Sequence, residues 1–421
     1  MTAIIDRVRR KHGEQRGHAD HKMVSQPALR FIFITVLLDM LALGIIVPVL
    51  PRLIAGFLRG DVAKASLAIG VFVTAWALMQ FIFSPLLGML SDRYGRRPVI
   101  LLSNLGMGID YIVMALAPGL SWLFAGRLIS GITSASMTTA NAYVSDVTAP
   151  EDRSGAYGLM SSAFGVGLIA GPALGGWLGG WDHPRAPFWF AAICSLVNAL
   201  YGFLVLPESL PPERRQRRLI WKMANPMGAL KLLRSHPELL GLSGVTFVQN
   251  LAHEVYPTVF VLYAMNRYGW DQKMIGLALA VVGLSSIAIS SLVGPAVKRL
   301  GEYPALFTGL LCGAFGFILF GWAASGFMFL LAIPLNSVWD LADPPVQTLM
   351  TKRVPASEQG KLQGAIGCLR SIAMLAGPGI FSATYAVFVS PGHAAPSAPW
   401  YLAAVMLAGA MLLAGVIMPK P

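Results

Sequence analysis

Residues 88–98 read GMLSDRYGRRP: two glycines, an aspartate and three arginines between long apolar runs that carry almost no charge. The spacing returns 206 residues later at 294–304, GPAVKRLGEYP, where Gly294 opens, Arg299-x-Gly301 follows and Pro304 closes. The same offset carries Gly158 onto Gly364 and Gly171-Pro172 onto Gly377-Pro378. It also lays VTAPEDRSGAYG (147–158) over RVPASEQGKLQG (353–364). Four landmarks at one offset describe two homologous halves joined by a linker.

Hydrophobic residues make up 55% of the 421-residue chain and charged residues 12%, about half the charged fraction of a soluble domain. Mean hydropathy is +0.63. A membrane-spanning helix needs roughly 20 predominantly apolar residues, and about a dozen such runs follow one another here. The net charge of +12 invites a nucleic-acid reading, but its distribution argues otherwise. Of the 32 Lys/Arg, only positions 52, 59, 64, 185, 267 and 273 fall in one set of loops, and Arg127 and Arg370 fall inside helices. All others lie in the termini and the alternate loops. That is the positive-inside pattern, with both termini cytoplasmic in a cytoplasmic (inner) membrane. No nucleic-acid partner is expected.

Cys194, Cys312 and Cys368 lie inside apolar runs without metal spacing, so neither a metal site nor a disulfide framework is expected. Residues 1–28 are basic and polar, expected to be disordered, and do not resemble a signal peptide; Met23 is an alternative start to Met1. Six apolar runs fall in a bundle at 29–206, a basic linker with an amphipathic patch around 219–233 occupies 207–237, and six more runs fill 238–421. The expected fold is therefore an all-α integral membrane protein of twelve transmembrane helices in two six-helix pseudo-repeats, a plan shared by many secondary transporters. No G-x-x-x-x-G-K-[ST] motif occurs, which leaves an ion gradient as the energy source. A proton falling through about 150 mV releases roughly 3.5 kcal/mol. No cofactor and no enzymatic activity are expected.

Charges inside the helices carry the functional signal, because a carboxylate at mid-bilayer costs around 2.5–3.5 kcal/mol. Asp39 stands about nine residues into the first span, in VLLDMLALGIIVPVLP. Asp110 in helix 3 and Arg127 in helix 4 are each roughly 10–12 Å from the same membrane face at 1.5 Å per residue. Two readings follow: a structural ion pair between them, or proton traffic on Asp39, alone or with Asp110. The second half holds His253-Glu254, Asp340, Asp343 and Arg370. Asp343 and Arg370 share a depth, which suits either a locking pair or a substrate site. His253-Glu254 belongs either near the midplane or at a helix break before Pro257. In helix 5, Gly167, Gly171 and Gly175 recur every four residues on one face and invite a close helix neighbour; Gly158, Pro172 and Gly176 complete the pattern. In the 88–98 loop, Asp92 is placed to accept donors from a helix N-terminus, with Arg93, Arg96 and Arg97 meeting carboxylates or lipid phosphates.

These motifs together resemble the major facilitator superfamily over about residues 29–418. GMLSDRYGRRPVI is similar to its loop 2–3 signature, Arg127-x-x-x-Gly131 to its helix 4 motif, and the helix 5 glycines to the pattern of its drug:proton antiporters with twelve helices. Within that group LLDMLALGIIVPVLP, IDYIVMALAP, GLIAGPALGG and PASEQGKLQGA resemble tetracycline efflux proteins. The resemblance implies a cavity between the halves, alternating access and proton-driven export of amphiphilic, drug-like compounds by a monomeric carrier. It implies coupling roles for Asp39, Asp110 and Arg127, and gating by Gly88, Asp92, Arg93, Gly95, Arg96 and Arg97. Two positions depart from the tetracycline pumps: their helix 8 histidine falls at Ser285-Ser286 and their helix 9 acid at Cys312-Gly313. The acids of helix 10 and His253-Glu254 are candidate replacements. A proton-coupled importer of a small metabolite and a membrane sensor are the competing functional readings.

Overall fold

The computed structural model describes residues 28–149, 152–180, 184–216, 230–233, 237–355, 358–390, 392 and 395–417. The expectations for residues 1–27, including the choice of start, and for all of the amphipathic patch around 219–233 except its helical end, Leu230–Leu233, lie outside them. The helices, in order, are α1 (Ala28–Phe57), α2 (Val62–Tyr94), α3 (Arg96–Leu116), α4 (Leu120–Thr133 and Ser136–Val147), α5 (Arg153–Gly179) and α6 (Ala186–Val205). After a linker come α7 (Pro237–His253 and Val255–Tyr268), α8 (Gln272–Leu300), α9 (Glu302–Trp322), α10 (Gly326–Ser337, the 3₁₀ turn Val338–Leu341, and Asp343–Thr351), α11 (Gln359–Val389) and α12 (Ala398–Ile417). Among the described residues there is no strand, and nine helices are long and apolar enough to cross a membrane unaided.

α1 is interrupted at residues 47–49, and α4, α7 and α10 are broken as well; the breaks in α7 and α10 follow from proline. Pro257 has no N–H for the carbonyl of residue 253, and the helix is interrupted at Glu254. Pro344 and Pro345 withhold donors from residues 340 and 341, which close a 3₁₀ turn instead. The break in α4 at residues 134–135 has no proline, and it delivers Ser136 to the start of a new segment. Outward faces are apolar: Leu204, Trp322, Phe327 and Leu412 are each more than 60% exposed, as a lipid-facing surface requires.

The 206-residue repeat is visible in the backbone. Gly95 ends α2 at φ 108°, ψ 161°, and Gly301 ends α8 at φ 86°, ψ 166°, a conformation in which a Cβ is strained. Their N–H groups bond Ser91 O and Val297 O, equivalent carbonyls under the same offset. At the other end of these helices the side chains of Asp61 and Asp271 accept from Lys64 N (3.0 Å) and Met274 N (2.8 Å). The donors from Lys64 hold the Asp61 carboxyl below its ordinary range.

Helices α1–α6 meet α7–α12 chiefly along two antiparallel lines, α2 on α11 and α5 on α8. Gly70 lies against Ser382 on the first line, and Gly276 against Gly176 on the second. Moving Gly70 up and Ser382 down by the repeat offset gives the second pair, so the contact is self-complementary like that of a two-fold dimer. These contacts occupy only the half of each helix remote from the basic loops at 91–97 and 352–355. Ser66 Oγ reaches Ser382 O at 2.9 Å, and the Arg52 side chain donates to Gln272 Oε1. Toward the basic loops, Gly88 of α2, Gly158 of α5, Gly294 of α8 and Gly367 of α11 face open space. The bundle is closed at one end and open at the end carrying the basic loops.

Candidate functional site

The break in α4 organises the polar interior of α1–α4. Asp39 is 2% exposed, and Ser136 Oγ, first residue after the break, donates to its Oδ2. Its Oδ1 is buried with no hydrogen-bond partner among the described residues. Arg127 bonds and ion-pairs with Asp110, whose side chain is fully buried. Gly126 makes room, since a Cβ there would lie 2.5 Å from Asp110 Oδ1. Asp110 and Arg127 form the ion pair that their shared depth admits, and Asp39 stands apart from it on a hydroxyl partner. Ser136 was not singled out from the sequence; its only signal is a polar residue nine positions beyond Arg127.

The 88–98 loop is held by acids from elsewhere. Arg96 donates to Asp92 Oδ1, to Ser91 Oγ (2.7 Å) and to Asp146 Oδ2 (3.0 Å) at the end of α4. The N-terminus of α3, expected to be capped by Asp92, is capped instead by Glu208: Arg96 N and Arg97 N donate to its two oxygens at 2.8 and 3.3 Å. Glu208 is well placed because Gly95 leaves the space; a Cβ there would lie 2.2 Å from its Oε2. Asp92 lies in the last turn of α2, where the helix offers carbonyls rather than N–H groups. Arg97 reaches the Gly202 and Phe203 carbonyls and lies over the Phe203 ring, and Arg93 lies over Tyr94. Neither meets a carboxylate among the described residues, so of the three arginines it is Arg96 that meets acids within the protein. Gln216 N donates to Asp92 O at 3.0 Å, tying the linker to the loop.

The helix 5 glycines do meet a close neighbour, and it is α1. A carbon added at Gly167, Gly171 or Gly175 would lie 2.6 Å from Met40 Cβ, 2.7 Å from Gly44 Cα and 2.1 Å from Ile45 O respectively. Pro172 packs its ring against Gly44, while Gly176 turns to α8. Gly158 has open space and no packing role in this conformation.

In the other half, a cavity of about 920 Å³ lies between α1 and α5 on one side and α7–α10 on the other. Its wall is mainly apolar and aromatic (Phe164, Tyr256, Phe260, Phe329, Trp339), with His253, Ser286, Asn336 and Asp340 as polar points. The volume falls in the range of small-molecule sites. Ser286, one of the two serines expected at the helix 8 departure, stands beside Asp340. His253 lies at the helix break, the second of its two sequence readings, and also on the cavity wall. Glu254 turns away, toward α11, where Gly377 leaves it room. Asp343 and Arg370 line a second cavity of about 180 Å³. No ion pair joins them among the described residues; Arg370 Nε donates to Asn250 Oδ1 at 3.1 Å. The locking pair admitted by equal depth is therefore absent in this conformation. Asp39, Asp110 and Arg127 line neither cavity.

Comparison with known proteins agrees with this architecture. The profile of the Major Facilitator Superfamily matches residues 32–378 and 242–421. The chain belongs to the major facilitator superfamily. Among relatives of this superfamily member, the class C tetracycline resistance protein of Escherichia coli is 40% identical over 87% of this chain and 92% of its own. The class D protein of Salmonella ordonez is 35% identical over 94% of this chain and 98% of its own. Among solved structures, the human organic anion transporter MFSD10 (TETRAN) superposes with a TM-score of 0.67 at 25% identity, covering 93% of this chain and 99% of its own. The superfamily consists of transporters, and this member is a multi-pass membrane protein.

Proposed function

We propose that this protein exports amphiphilic, drug-like compounds, tetracycline-like molecules among them, across the cytoplasmic membrane in exchange for protons. The observation that carries the reading is the cavity of about 920 Å³: apolar and aromatic, with a few polar points, and bounded by helices of both halves. Such a lining suits an amphiphile better than a hydrophilic metabolite. The two bundles, residues 29–206 and 238–421, rock about the α2–α11 and α5–α8 lines through twelve crossings with both termini cytoplasmic. The open end then faces the cytoplasm, in the state that loads an export substrate. Asp39 carries the proton. It is a buried carboxyl in the first half with no cationic partner among the described residues, whereas Asp110 is committed to Arg127. The chain's likeness to tetracycline resistance proteins supports export over import.

The test is accumulation of tetracycline and of a fluorescent amphiphilic dye in a pump-deficient host, with and without a protonophore. Expression should lower accumulation several-fold, and the protonophore should abolish the difference. Raised accumulation would establish import instead, and no change with either compound would refute transport of this class.

A further inference from the structure

The 180 Å³ cavity shares no lining residue with the larger one but lies beside it. On α7, Asn250 lines the small cavity and His253 the large one; on α10, Asp343 and Asp340 divide in the same way. Each pair is three residues apart, about 4.5 Å along a helix. The small cavity is thus one turn from the large one, toward the open end. Its lining is polar where the larger cavity's is apolar: Thr246, Asn250, Asp343, Gln347, Gln363 and Arg370. Opposite charges face it without forming an ion pair, although Arg370 is close enough to Asp343 for their charges to interact. Arg370 spends only Nε, on Asn250. Both terminal nitrogens of its guanidinium are without a hydrogen-bond partner among the described residues, a fork suited to a planar anionic group. At about 30 Å³ per water molecule, the volume holds a head group rather than a whole drug.

We infer that this cavity is a charge-reading subsite that selects zwitterionic substrates: Arg370 binds the carboxylate or enolate, Asp343 the ammonium, and the apolar body lies in the adjoining cavity. The inference rests on the export reading for its biological sense but is tested by binding alone. The probes are a rhodamine with a free carboxylate, a zwitterion, and its methyl ester, a cation with the same ring system. Fluorescence anisotropy on the purified full-length protein should give tighter binding of the acid than of the ester, on the order of tenfold or more, the effect of a hydrogen-bonded charge.

In Arg370→Gln that ratio should collapse toward one while ester affinity is kept, and the kept affinity shows that the protein is folded. Arg370→Lys should restore part of the ratio. Asp343→Asn should weaken both probes and leave the ratio. An unchanged ratio in Arg370→Gln would overturn the inference and leave Arg370 as a helix-packing residue. Wild-type protein that binds neither probe would overturn the inference too, and the accumulation assay then decides separately whether export of amphiphiles stands.

Discussion

At the scale of residues, the chain separates two jobs that its sequence left superposed. Removing the charge of Asp110 strands Arg127, and breaking a buried pair costs about 3–5 kcal/mol. Asp110→Asn should therefore lower the melting temperature markedly, and Asp110→Asn with Arg127→Gln should recover part of the loss. Asp39→Asn strands no cation. It should leave the melting temperature within a few degrees of wild type while abolishing uphill, protonophore-sensitive efflux; concentrative export by that variant would remove Asp39 from coupling. Ser136→Ala, which deletes the hydroxyl on Oδ2, should keep export but shift its pH profile, whereas a purely structural role would leave the profile in place. Depth was legible in the sequence, because rise per residue is fixed, and it brought Asp110 and Arg127 to one level. Azimuth was not. Which group meets Asp39 depends on the break at residues 134–135, within which no proline or glycine gives notice, and azimuth likewise decides that Asp343 and Arg370 do not pair.

At the scale of elements, the glycine period on α5 was legible as a packing face, but the partner helix was not, because a period names a face and leaves its neighbour open. With α1 as that neighbour, Gly171→Leu would drive a side chain into the Gly44 backbone and Gly175→Leu one into the Ile45 carbonyl. Both should fail to insert or purify in folded form. Gly158→Leu should purify normally, since it faces open space. Glu208 was illegible for a different reason: it lies in a segment with no helical or strand period, so only tertiary structure brings it to the α3 N-terminus. Glu208→Gln should cost about 0.3–1 kcal/mol, the value of a charge at a helix terminus, measured as a small fall in melting temperature. Asp92→Asn should instead slow transport at wild-type expression levels, because it loosens the ion pair to Arg96 that ties the ends of α2 and α3.

At the scale of the whole molecule, the register of the two contact lines specifies the conformation that is not seen. On α5 and α8 the helices are antiparallel, with Gly176 opposite Gly276 and Ile169 opposite Gly283. Continuing that register toward the basic loops sets Gly158 opposite Gly294, and on α2 and α11 it sets Gly88 opposite Gly364. Gly88, Gly158 and Gly294 have open space here, so small residues occur where nothing yet presses on them. A rocking motion that closes the basic-loop end gives them a purpose: they let the helices meet there as Gly70, Gly176 and Gly276 do at the closed end. Residues 283 and 294 are roughly 16 Å apart along α8, enough for one pair to part as the other meets. With Cys194, Cys312 and Cys368 replaced, an Ile169→Cys/Gly283→Cys protein should form its disulfide readily in the resting state. Gly158→Cys/Gly294→Cys should cross-link slowly at rest and faster under turnover with substrate and a proton gradient. Each cross-link should stop export, and reduction should restore it. If the 158/294 pair never forms while the 169/283 pair does, the two halves do not rock about these lines, and the open end closes by bending within a half instead.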